Sequence, residues 1–92
     1  MKLSKAVSDL GYTLIIRHHP GLMNQRLGNP DPNGSAAICF DRIIACVADS
    51  WDFAYAVAHE IAEYECGFKH DVETFSHQAN ILARWCKELA QA

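Results

Sequence analysis

Apolar residues at Leu3, Ala6, Val7 and Leu10 repeat at i, i+3, i+4 and i+7, which predicts a short helix stopped at Gly11. The period then changes. Tyr12 to Arg17 is β-branched and aromatic and runs into His18-His19-Pro20-Gly21, so a strand followed by a turn is expected. Leu22 to Leu27 is ambiguous between loop and a weak second strand. Asn29 to Ser35 concentrates Asn, Asp, Gly and two prolines, the composition of an exposed loop. Two short apolar runs, Ala36 to Phe40 and Ile43 to Val47, flank Asp41-Arg42 and predict a hairpin or a bent pair of strands. The turn lacks glycine, which leaves its type open.

Beyond Asp49-Ser50, either of which could cap a helix, Trp51 to Cys66 contains no breaker before Gly67. A last helix is expected from near Asp71 to about Leu89, with Val72, Phe75, Ala79, Leu82, Cys86 and Leu89 on its apolar face. The order gives an α+β fold: a short N-terminal helix, a small twisted β-sheet, and two C-terminal helices packed on it.

The 92 residues, half of them hydrophobic, leave room for one domain spanning 1–92. A net charge of −3 argues against a protein that grips nucleic acid through phosphates. Cys39, Cys46, Cys66 and Cys86 show no CxxC spacing and lie in apolar runs, so reduced, buried thiols are expected. Neither a signal peptide nor a transmembrane span is evident in the opening residues, and a cytoplasmic protein is the expectation.

Candidate chemistry lies in the first long helix, at His59-Glu60-Ile61-Ala62-Glu63. In an HExxH helix, ligands at i and i+4 share one face and the intervening Glu serves as general base. Here Glu63 takes the second ligand position, and a carboxylate binds zinc at about the same distance as imidazole. A polar, solvated helix face is the competing reading. Against it, the helix is apolar over most of its circumference through Ala54, Ala56, Val57, Ala58, Ile61 and Ala62, so its polar groups need partners. The following helix offers a third ligand. His77 is the first choice and Glu73 the second, with His70 read as a surface residue; His18 or His19 could face the same cleft, and Trp51 and Trp85 read as packing residues.

At these residues the sequence resembles the ImmA/IrrE family of minimal zinc metallopeptidases. The resemblance runs through Leu10-Gly11-Tyr12-Thr13-Leu14, the His19-Pro20-Gly21-Leu22 turn, the helix around His59-Glu60, and Gln78-Ala79-Asn80. It implies a zincin-like domain with His59 as first ligand and Glu60 as catalytic base. Glu63 stands where the family has its second histidine, and Ser76 and Gln78 where it usually has carboxylates. The metal site is then either shifted onto His59, Glu63 and His77 or Glu73, or lost.

Two functions follow. The first is a small intracellular zinc metallopeptidase, with another divalent metal as an option, that hydrolyses a protein or peptide substrate through metal-activated water with Glu60 as base. The alternative is a catalytically inactive protein-binding or regulatory module on the same fold, phage or mobile-element encoded. No membrane or direct nucleic-acid partner is expected, and the sequence does not fix the oligomeric state.

Overall fold

Asp41 and Arg42 both adopt left-handed backbone conformations, with φ of 49° and 62°. That is the requirement of a two-residue type I′ hairpin turn, met here without glycine. The Arg42 guanidinium lies over the rings of Tyr12, 5.0 Å from its centroid, and Tyr64, at 6.0 Å. Two cation–π contacts thus hold an otherwise strained residue.

The computed structural model describes residues 1–17 and 37–91. Among these, α1 (Leu3–Asp9) leads into β1 (Thr13–Ile16), the hairpin of β2 (Ala37–Phe40) and β3 (Ile43–Cys46), a 3-10 turn (Trp51–Phe53), α2 (Ala54–Glu65) and α3 (Val72–Ala90). The sheet order is β1-β3-β2, with β2 antiparallel and β1 parallel to the central β3. The fold is α+β, as the hydrophobic pattern predicts. The parallel pairing of β1 with β3 is new, since no local signal announces a pairing between distant strands. The ambiguous Leu22 to Leu27 run, the Asn29 to Ser35 loop, His18 and His19 lie outside the described residues.

Both short connections after helices are hydrogen-bonded stops. At the end of α1 the Gly11 and Tyr12 amides donate to the carbonyls of Ser8 (2.9 Å) and Val7 (3.2 Å), with Gly11 at φ +91°. This is the Schellman pattern. At the end of α2, Gly67 takes φ +78° and the Phe68 amide donates to the Glu63 carbonyl at 2.7 Å. The start of α1 has no cap of its own. Instead Asp49, from the other end of the sheet, accepts a hydrogen bond from the Ser4 amide at 3.0 Å, while Ser50 caps the 3-10 turn by accepting from Asp52.

One core joins these elements. Leu3 and Val7 of α1, Ile44 and Cys46 of β3, Val57 and Ile61 of α2, and Ile81 and Trp85 of α3 are all buried. Trp51 and Trp85 meet edge to face at 5.8 Å, and the Trp51 indole N–H donates to the Met1 carbonyl, which ties down the N-terminus.

The last helix corrects the sequence reading by one residue. The buried stripe is Thr74, Gln78, Ile81 and Trp85, so Phe75, Ala79 and Cys86 face solvent, Val72 is 80% exposed, and Leu82 is half-buried. One position is about 100° of helix rotation. Trp85 carries far more apolar area than Cys86, so bringing it and Ile81 inward outweighs leaving Phe75 partly outside, and it admits the polar Thr74 and Gln78. The thiols divide accordingly: Cys39 and Cys46 are buried, Cys66 is half-buried, and Cys86 is exposed, against the expectation of four buried thiols. No helix among the described residues is long and apolar enough to cross a membrane.

Candidate metal centre

Residues 59 and 63 lie one turn apart on α2, so their side chains leave the helix side by side. The turn that follows brings a third group to them. After the stop at Gly67 the chain reverses, and Asp71 caps α3 by accepting from the Thr74 amide and hydroxyl at 3.0 and 3.2 Å. Those bonds hold its carboxyl below the usual aspartate range. His70 sits between the two fixed points.

Glu63 Oε2 is the centre of the group. His59 Nε2 approaches it to 3.1 Å and His70 Nε2 to 3.0 Å, and the two imidazole rings lie 5.2 Å apart between centroids. Ligand atoms about 2.0–2.1 Å from a tetrahedral metal lie about 3.3 Å from one another, close to these spacings. The three side chains offer two imidazole nitrogens and one carboxylate oxygen within 4.8 Å of one another, a group that could hold a metal ion. His59 and Glu63 are half-buried in this group, whereas His70 is exposed.

Glu60 lies next to this group and not in it. Burial, followed by the neighbouring Glu63 carboxylate, pushes its carboxyl up to about 7, against the opposing pull of His59, the Cys39 backbone amide and His70. A carboxyl near neutrality both accepts and returns a proton readily. Cys39, on β2, is pushed up to about 12, chiefly by burial and then by Glu60, so its thiol stays protonated and inert.

The structure therefore brings together His59 and Glu63, with Glu60 beside them. His77 points elsewhere and pairs with Glu65, and Glu73 stands exposed in the first turn of α3. The third member of the group is His70, where His77 or Glu73 is the expectation. Its place at the start of the last helix reads as a surface position in the sequence; the signal for it is the Gly67 stop, which folds the connection back over the face of α2 that carries Glu63. Gln78, at a position where the resemblance expects a carboxylate, accepts a hydrogen bond from His59 Nδ1 at 2.9 Å. Phe75 closes one side of the site, with its ring 6.0 Å from that of His59.

No protein-family model matches the chain, and neither a curated protein nor a solved structure does. The functional reading therefore stands on these residues.

Proposed function

We propose that this chain is a small zinc-dependent peptidase whose metal is held by His59, Glu63 and His70 and whose general base is Glu60. The observation that carries the reading is the convergence of His59 Nε2 and His70 Nε2 on one Glu63 oxygen, at 3.1 and 3.0 Å, beside the half-buried Glu60 carboxyl, raised to about 7. Two histidines and one carboxylate are a set that catalytic zinc uses, with a fourth position left for water or substrate. Bound there, the metal would supply Lewis acidity towards a carbonyl oxygen and acidify water. The likeness of His59-Glu60-Ile61-Ala62-Glu63 to an HExxH helix supports a peptide bond as the substrate.

Glu60 does the proton work. Its carboxylate takes a proton from the water whose oxygen attacks the peptide carbonyl carbon, then gives that proton to the amine nitrogen as the C–N bond breaks. Half-burial of His59 and Glu63 keeps their side chains in one arrangement, and the Gly67 stop and the Asp71 cap do the same for His70 between them.

Elemental analysis and zinc titration of the full chain, beside His59→Ala and Glu63→Ala, test the site. About one zinc per chain in the wild type, lost in both variants, is the expected result. Peptide hydrolysis that vanishes in Glu60→Gln while zinc is retained completes the reading. A wild-type chain that takes up no zinc overturns it and leaves the protein-binding module as the function of the fold.

A further inference from the structure

Val72, Phe75, Ala79, Leu82, Cys86 and Leu89 follow one another in alternating steps of three and four residues along the whole of α3. That is the a/d repeat of a coiled-coil seam, the stripe by which one helix receives another. The core of this chain does not use it. The buried stripe is Thr74, Gln78, Ile81 and Trp85, so the repeat is turned towards solvent, with Val72 80%, Phe75 48% and Leu89 37% exposed. Ala79 and Cys86 are exposed as well, and Leu82 is half-buried. Ser76 and Ala83, both small and exposed, border the stripe and let a second helix approach closely. Single exposed apolar residues are ordinary, but a register kept along about 28 Å of helix makes a continuous patch of the kind that marks an interaction surface.

The stripe specifies its own partner. In an antiparallel pair each a position meets a d position of the opposite helix. Two copies of α3 then set Phe75 against the partner's Cys86 and Ala79 against the partner's Leu82, with Val72 and the partner's Leu89 at the ends. In the central layers a large side chain meets a small one, and each pair recurs across the two-fold axis. The same register brings Glu73 to the end and flank that carry the partner's Lys87, opposite in charge. A parallel pair would oppose Phe75 to the partner's Phe75 and Ala79 to the partner's Ala79, which crowds one layer and leaves a gap in another. We propose that this chain forms a two-fold homodimer in which the outer stripes of two α3 helices pack antiparallel.

The inner stripe already folds α3 onto the core, so association orders no new backbone. One helix face per copy buries less than the about 1,600 Å² of a standard interface, which sets dissociation on the order of 10 μM. The pairing needs no metal and stands apart from the zinc reading.

Sedimentation equilibrium of the full chain, in chelator and reductant and from submicromolar to near-millimolar concentration, is the test. A monomer–dimer equilibrium is expected for the wild type. Ala79→Glu, which sets a carboxylate against the partner's Leu82, should weaken it about tenfold or more while the circular dichroism of the dilute protein is unchanged. Ala83→Glu, on the border of the stripe, serves the same purpose should Ala79→Glu fail to fold. Oxidation with diamide and peptide mapping read the orientation. Phe75→Cys should cross-link to the partner's Cys86, whereas wild-type Cys86 should not link to the partner's Cys86, about 16 Å away along the seam. A chain that is monomeric at every concentration, as it would be with a different protein or another segment on this face, overturns the proposal. So does a dimer indifferent to both glutamate variants, or a wild-type cross-link between Cys86 and the partner's Cys86.

Discussion

His70 Nε2 lies 3.0 Å from Glu63 Oε2, although His70 belongs to no helix and its side chain is 62% exposed. An exposed histidine on a connection keeps such a contact because both ends of that connection are fixed, by the Gly67 stop and the Asp71 cap. His70→Ala should therefore weaken zinc binding at least tenfold with little change in the melting temperature of the metal-free protein. His77→Ala should leave zinc affinity unchanged, since its partner is Glu65. Parallel isothermal titrations settle the pair, and equal losses in both variants would exclude His70 as the third ligand.

Glu60 makes the metal-free protein sensitive to pH. Its folded-state value, about 7, exceeds the ordinary 4.5, so the folded chain holds a proton that the unfolded chain releases between those values. Stability should fall as pH rises from about 4.5 to about 7 and level off above, by an amount on the order of 3 kcal/mol. Glu60→Gln, neutral throughout, should flatten that slope. Urea unfolding in chelator across the window provides the measurement.

The rotational setting of α3 is open to a direct check. Ile81→Ala and Trp85→Ala should each cost about 2–5 kcal/mol, because both side chains are buried against the sheet and α2 core. Val72→Lys, at 80% exposure, should stay within about 0.5 kcal/mol. Denaturation of the three variants would refute the observed setting if Val72→Lys proved the most damaging.

Asp71 links stability to the placement of His70. Its depressed titration means that its contribution is complete above the ordinary aspartate range and is lost as pH falls through the lower folded value. Asp71→Ala should lower the melting temperature at neutral pH, with a smaller difference in strong acid, and should also weaken zinc binding by freeing the His70 connection. Thermal scans at neutral and strongly acid pH, with a zinc titration, would expose the error if the melting difference were the same at both pH values.

Much of the fold is legible in the sequence because its signals are local. Gly11 and Gly67 mark helix ends, Asp71 marks a start, and the periodicity of Leu3, Ala6 and Val7 places α1. Asp49 shows where locality ends: it is adjacent to the 3-10 turn in sequence, yet it bonds to the amide of Ser4 at the far end of the chain. Half of the site was equally local, since His59 and Glu63 are one turn apart. His70 and Gln78 were not. One is placed by chain reversal, and the other by a helix rotation decided by Trp85 rather than by a count of apolar positions.

The parallel pairing has a consequence for how the chain folds in time. β2 and β3 are joined by two residues and can pair within about 1–10 μs, whereas Thr13 meets Ile43, thirty positions along the chain. Closing that long loop is entropically unfavourable until the hairpin and α2 offer a surface to dock on. β1, with α1 attached, should join last. Substitutions at Leu14 or Ile15 should then speed unfolding and leave the refolding rate almost unchanged, whereas those at Ile44 should slow refolding. Stopped-flow chevrons would rule out this order if the β1 variants refolded as slowly as those of Ile44.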